Sequence, residues 1–234
     1  MTRANYGVDA PGVVWRFLLI GTGLVIGGAV SLVWVKYLAA PLASMGSSMF
    51  LTAGLMVWGS KVGKLRLRDK VMDGLKLRGD ERVLDVGCGH GLMLIGAAKR
   101  LTTGKAAGLD LWQAEDQAEN SREATWRNVE CEGVGERVEL IDGDARKMPF
   151  ADGAFDVAVS SWALHNIYEA AGREAALREI ARVLKPGGRL VIVDIRHTSE
   201  YAQILGSEGM KNIQRRGPNF VFVIPSFIVI AEKP

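Results

Sequence analysis

From about Asp80 to the C-terminus, short apolar runs alternate with longer stretches of helical spacing, and this alternation restricts the fold more than any other feature of the chain. "RVLDV", "KAAGLDL", "VELIDGD", "FDVAVSS" and "RLVIVDI" read as five strands, and "NFVFV" with "SFIVIAEK" as a closing hairpin. Between them, "GLMLIGAAKRL", "SREATWRNVECEG", "GREAALREIARVLKPGG" and "HTSEYAQILGSEG" read as helices, the second ending on glycine and the third on a Pro-Gly stop. Strands alternating with helices of this length argue for a parallel α/β sheet with right-handed crossovers. The strands are almost continuously apolar, which agrees, because such a sheet is covered on both faces.

Ligands of such a sheet bind beyond the carboxyl ends of the strands, where the strand order reverses. "VLDVGCGHG", Val83 to Gly91, lies at the end of the first strand. Its glycines allow a sharp turn and a close approach to a ligand. The spacing is G-x-G-x-G, not the G-x-G-x-x-G that seats a pyrophosphate on a helix N-terminus. Asp85, just ahead of it, would repel a phosphate and attract a cation. Asp110 ends the second strand, where a carboxylate can accept two hydrogen bonds from ribose hydroxyls. Asp144 follows the third strand in "DGDA", where a side-chain oxygen can accept from an adenine amine. Each acid alone also reads as an ordinary loop residue. Three of them at the ends of three successive strands suit a nucleoside with a positive charge and no phosphate, such as S-adenosylmethionine.

With these motifs in place, the stretch from about Asp80 to Pro234 resembles the class I S-adenosylmethionine-dependent methyltransferases, including the small ubiquinone/menaquinone-type methylases. "VLDVGCGHG" matches that family's first motif, and the end of "AAGLDLW" its ribose acid. "GDARKMPFADGAFDVAVSSWALHNI" matches the adenine and fourth-strand motifs, and "EIARVLKPGGRLVIVD" the segment through the fifth strand. The resemblance implies a Rossmann-like, mostly parallel seven-stranded sheet with an antiparallel last strand. It implies that Asp85 and the backbone of Gly87, Cys88, Gly89 and Gly91 hold the methionine part of the cofactor. Asp110, followed by Leu111, would hold the ribose, Asp144 and Ala145 the adenine, and Ser160 would complete the set. The implied product is S-adenosylhomocysteine. His90 stands where many members carry a small or hydroxyl residue. Three histidines and two cysteines show no metal-ligand spacing, so no metal is expected. Cys88 and Cys131 are too few for a disulfide framework or for arsenite chemistry, and they fit a reducing compartment.

The N-terminal part has a different texture. Phe17 to Val35 is uncharged, and at about 1.5 Å per residue it would span about 28 Å, close to a bilayer core. Trp15 and Trp34 flank it, where amphipathic rings favour the interface. Leu42 to Ser60 is a second uncharged run, weakened by Ser44, Ser47, Ser48 and Thr52, with Pro41 suited to a first helical turn. A signal peptide is the alternative for the first run, and a buried soluble helix for the second. The expectation is a transmembrane hairpin of two helices, about 14–36 and 41–60, within an anchor of residues 1–60. A basic linker and cover helix would follow over 61–79, then the catalytic domain over 80–234. Arg3 and Arg16 precede the hairpin, and Lys61, Lys64, Arg66, Arg68 and Lys70 follow it, against one acid, Asp69. This bias places both ends, and the catalytic domain, on the cytoplasmic side of the membrane. The basic cluster reads either as a stop-transfer flank or as a grip on anionic headgroups. Gly23 and Gly27, with Gly28 adjoining, suit close packing within the hairpin or a homodimer. A net charge of +3 is too mild to argue for nucleic acid.

In S-adenosylmethionine the methyl is already activated. The protein must hold a nucleophile in line with it at about 3–3.5 Å and exclude water. A base is needed only where the acceptor must lose a proton. His165, in "WALHNI" after the fourth strand, is the candidate base, since imidazole titrates near neutral pH; tying down its loop is the alternative role. His197 and Tyr201, after the fifth strand, are second choices, and Trp112 packs against the adenine or in the core. Little chain separates the fifth and sixth strands, so a cover for the site would come from Ser60 to Leu77. The expected function is methylation of a small lipophilic or membrane-associated acceptor: a quinone or phenol, a lipid headgroup or a thiol. The alternatives are a soluble acceptor or protein, with the hairpin serving localisation, and a non-catalytic cofactor-binding membrane protein.

Overall fold

The computed structural model describes residues 4–112, 120–221 and 223–234, so Arg3 and Phe222 lie outside the described residues. The chain forms two compact units. One comprises Met1–Tyr6, Leu65–Phe220 and Ile224–Pro234, the other Gly7–Lys64 with Val221–Val223.

The first unit is built on seven strands: β1 (Arg82–Val86), β2 (Lys105–Asp110), β3 (Val138–Asp142), β4 (Phe155–Ser161), β5 (Leu184–Asp194), β6 (Lys211–Asn219) and β7 (Ser226–Glu232). They lie in the order β3-β2-β1-β4-β5-β7-β6. β1 to β5 are parallel, and β7 runs antiparallel to both of its neighbours. The order reverses between β1 and β4, which opens a crevice at their carboxyl ends. Leu84, Val86, Ala107, Leu109, Leu190 and Ile192 are buried in one cluster with Leu177 and Ile180 of α6 (Ala170–Val183) and Leu205 of α7 (Thr198–Ser207). α4 (Leu92–Ala98) has no polar residue and is buried all round. Against it lies α3 (Lys64–Leu75): a Cβ on Gly96 would fall 2.7 Å from Arg68 Cδ. α5 (Arg122–Cys131) starts at Ser121, whose Oγ accepts from Ala124 N at 3.1 Å. Such a cap contributes about 1 kcal/mol.

Two elements differ from the sequence expectation. Lys185 to Gly188 lie within β5, whose pairing with β4 shifts register between Phe155 and Val157. The Pro-Gly stop thus ends α6 and also opens an irregular strand start. The sixth strand is "KNIQRRGPN", not "NFVFV". It is the sheet edge, almost wholly exposed, and an edge strand favours charge over apolar side chains.

The second unit contains α1 (Pro11–Trp34), a short 3₁₀ turn (Lys36–Leu38), α2 (Ala39–Trp58) and a π turn (Gly59–Gly63). Pro11 occupies the first turn of α1, where its missing N–H costs nothing. Two helices here are long and apolar enough to cross a membrane. Leu19, Ile20, Val30, Val33, Leu51 and Leu55 are exposed on them. Their hydroxyls are satisfied locally: Thr22 donates to Leu18 O, Ser47 to Ala43 O and Thr52 to Ser48 O, at 2.8 to 2.9 Å. A hydroxyl bonded this way tolerates an apolar surrounding, which accounts for the polar residues in the second run. The helices cross on Gly21, Gly28 and Gly46. A Cβ on Gly46 would lie 2.6 Å from Val25 Cγ2, and one on Gly28 3.0 Å from Ala39 O. Gly23 has nothing within 4 Å, and Gly27 meets only Leu42 Cδ1 at 4.0 Å. Close packing within the hairpin therefore uses a seven-residue repeat, Gly21 and Gly28, and not the Gly23/Gly27 pair. At the base of the hairpin, Lys64 Nζ meets Asp9 Oδ2 at 2.9 Å and Gly7 O at 3.2 Å, while Asp9 N donates to Ser60 Oγ at 2.9 Å. Lys64 and Arg68 are buried, so only Lys61, Arg66 and Lys70 of the basic cluster are exposed.

Candidate active site

The site lies at the carboxyl ends of β1, β2, β4 and β5. After β1 the chain turns through Gly87, Gly89 and Gly91, at φ of +69°, +47° and +81°. A Cβ on Gly87 would collide with that of Ala163, so this position admits only glycine. Gly87 N and Cys88 N donate to Leu109 O at 2.8 and 3.2 Å. From α5, Thr125 Oγ1 donates to Gly89 O at 2.5 Å, and Asn128 Nδ2 to His90 O at 3.0 Å. Asn128 also exchanges two hydrogen bonds with the backbone of Asn5, at 2.8 and 3.0 Å. The glycine loop is thereby clamped from both sides.

Asp85 is buried beneath this loop. Its Oδ2 accepts from Leu94 N at 2.8 Å, and its Oδ1 has no partner among the described residues. Burial raises its pKa to about 7; the Leu94 N–H opposes the rise and the charge of Asp110 adds to it. His90 is buried too, with neither ring nitrogen partnered among the described residues. Cys88 is buried, and its surroundings hold the thiol protonated. Asp110 accepts from Gly89 N and Trp112 N, both at 2.7 Å, and from Asn120 Nδ2 at 3.3 Å. Leu111, next to it, is exposed. Trp112, at φ +57°, is held by its indole N–H on Asp142 Oδ1 at 2.7 Å. Asp144 forms a fork with Arg146, with Oδ2 2.7 Å from Nη2, which holds its carboxyl below the usual range; Ala145 beside it is half-buried. An adenine contact at Asp144 must share or open that fork. Ser160 is buried and donates to Val86 O at 2.8 Å, joining β4 to β1.

A second cluster surrounds β4 and β5. Trp162 directly follows β4 at φ +49°, and its indole N–H donates to Ser226 Oγ at 3.0 Å. His165 Nδ1 lies 2.6 Å from Asp194 Oδ1. Asp194, fully buried at the end of β5, also accepts from His165 N (3.1 Å), Ile195 N (2.7 Å) and the Tyr201 hydroxyl (3.2 Å). Burial, with Asp194 beside it, raises the Tyr201 pKa, so this phenol keeps its proton and meets the cluster only through Asp194. His197, at φ +58°, pairs with Glu200 at 3.2 Å. Sequence reasoning gave Asp194 no role. The signal was present: it is an acid at a strand's carboxyl end, like Asp85 and Asp110, in the quoted run "RLVIVDI".

The unpartnered buried Asp85 oxygen, the side-chain-free cradle at Gly87 and the ribose-type acid at the end of β2 fit a cationic nucleoside without phosphate. Among the described residues no group of His, Cys, Asp or Glu could hold a metal ion. Residues 84–192 match the family model of a methyltransferase domain, Methyltransf_11. Asp85, Gly87 and Asp110 all lie within this matched stretch. The chain is 35% identical over 130 residues to methyltransferase GfsG of Streptomyces halstedii, covering 56% of this chain and 43% of that protein. It is also 35% identical over 127 residues to the ubiquinone/menaquinone biosynthesis C-methyltransferase UbiE of Dinoroseobacter shibae, covering 54% and 47%. The chain thus spans less than half the length of these relatives. A solved S-adenosylmethionine-dependent methyltransferase from Aquifex aeolicus superposes with a TM-score of 0.58 at 24% identity, over 74% of this chain and 94% of that one, and so shares the fold.

Proposed function

We propose that this chain is a membrane-anchored methyltransferase that methylates a small lipophilic acceptor reached from the bilayer, with the catalytic unit on the cytoplasmic side. The observation that carries the catalytic reading is the buried Asp194 beside His165: its Oδ2 accepts from the His165 backbone N–H, and its Oδ1 lies 2.6 Å from Nδ1 without the geometry of a hydrogen bond, at the end of the sheet where the glycine loop lies. The cofactor, when bound, supplies an activated methyl group. Asp85, the backbone of the glycine loop and Asp110 hold its methionine and ribose parts. Asp144 and Ala145 receive the adenine once the Arg146 fork yields. Asp194 lies against the Nδ1 side of the imidazole, which leaves Nε2 as the nitrogen that would take the acceptor's proton. Tyr201 supports this arrangement through Asp194, and neither it nor His197 reacts.

The membrane reading is supported by two helices with apolar outer faces, glycine-packed against each other and joined at the base by Lys64 and Asp9. The named acceptors of UbiE-type relatives are quinones, which agrees with a lipophilic acceptor. The test combines fractionation and kinetics. The chain should stay with membranes through high-salt washing. His165→Ala should lower kcat by about 10²–10⁴-fold with little change in cofactor affinity, and should abolish the ascending limb of the pH profile near the histidine pKa. A loss under about tenfold with the limb intact rejects His165 as the base, and release by salt rejects the anchor.

A further inference from the structure

The run "NFVFVIP" is left unexplained by the fold. After Asn219, which ends β6, it forms the connection to β7, where a hairpin normally takes glycine, asparagine or aspartate. Phe220, Val223 and Ile224 are exposed there, at 69%, 47% and 54%. Large apolar side chains gathered on one exposed loop mark a contact surface.

Three observations identify what that surface meets. The first is continuity: Val221–Val223 cluster with the apolar helices, and a Cβ on Gly63 would lie 3.2 Å from Val221 Cγ1. The second is charge. Between Glu208 and Glu232 the chain has no acid, while Lys211, Arg215 and Arg216 are exposed on β6. Arg216 lies four residues before Phe220, so a cationic side chain stands close behind the apolar tip. The third is position. Asn219 pairs with Ser226, and Asp194 with Phe227, so the loop leaves the sheet at the end of the strands where Asp194 and Trp162 lie.

We propose that the β6–β7 tip is a second membrane contact, which inserts Phe220, Val223 and Ile224 into the interfacial layer of the bilayer and keeps Arg215 and Arg216 at the headgroups. This inference rests on the membrane reading of α1 and α2. It gives that reading a consequence for substrate: the acceptor arrives laterally from the bilayer, not from water.

The test uses the full chain with Cys131→Ser, since Cys88 is buried. Phe220→Cys, Val223→Cys and, as a control before β3, Glu136→Cys are each nitroxide-labelled in phosphatidylcholine–phosphatidylglycerol vesicles. Cofactor binding of each labelled chain reports that it is folded. The ratio of oxygen to nickel-complex accessibility should be several-fold higher at 220 and 223 than at 136. Equal ratios in a chain that sediments with the vesicles overturn this inference and leave the anchor standing. A chain that does not sediment with the vesicles overturns both.

Discussion

Burial lifts the Asp85 carboxyl from 3.8 to about 7, and this shift couples both stability and cofactor binding to pH. The folded pKa is raised, so this group's contribution to stability is full below about 4 and is lost as pH rises through about 7, on the order of 4 kcal/mol in all. A cationic ligand beside Asp85 favours the ionised form. Cofactor affinity measured by calorimetry should therefore strengthen, by up to about tenfold per unit, from pH 5 to 7 and then level off. Asp85→Asn should make both profiles flat over that range. Asp110→Ala should weaken S-adenosylmethionine and S-adenosylhomocysteine alike, by about 3 kcal/mol for two lost hydrogen bonds to a charged acceptor. The structure adds that this change also frees Gly89 N and Trp112 N, so Asp110→Asn should lose less. An unchanged dissociation constant for Asp110→Ala in a folded chain removes the residue from the site. Asp85 and Asp110 were legible because each closes an apolar run beside glycine or a strand end. Asp194 closes such a run equally, but its meaning depends on His165, twenty-nine residues away, and only the fold brings the two together.

At the scale of elements, β1, β2 and β4 were readable because each is buried on both faces and so apolar nearly throughout, and β3, at one edge, because its buried and exposed residues alternate. β6 was not, because it has no buried residue to impose a pattern, and the apolar run beside it competed for the assignment. The hairpin shows a related difference. A GxxxG pair marks a helix with a small-residue stripe, but which stripe meets the partner depends on where α2 crosses. It crosses at Gly21 and Gly28. Gly46→Ala places a methyl within 2.7 Å of Gly21 O and should destabilise the hairpin by about 1–3 kcal/mol, read as a lower melting temperature in detergent. Gly23→Ala meets nothing within 4 Å and should be neutral or slightly stabilising. Equal costs at the two positions would mean that the helices pack in another register.

For the whole molecule, the catalytic unit by itself is compatible with many acceptors, since its fold is shared widely and specificity resides in the site. The same 234 residues also carry two apolar helices joined at their base and an exposed apolar loop between β6 and β7. The central claim is therefore that methyl groups pass from S-adenosylmethionine to a lipid-dissolved small molecule. The most direct measurement supplies the full chain, in its membranes, with methyl-labelled S-adenosylmethionine and follows the label through organic extraction. The label should enter an organic-soluble small molecule, and Asp110→Ala and His165→Ala should each suppress it. Label found only in water-soluble products or in protein, or cofactor bound with no transfer at all, would contradict the account.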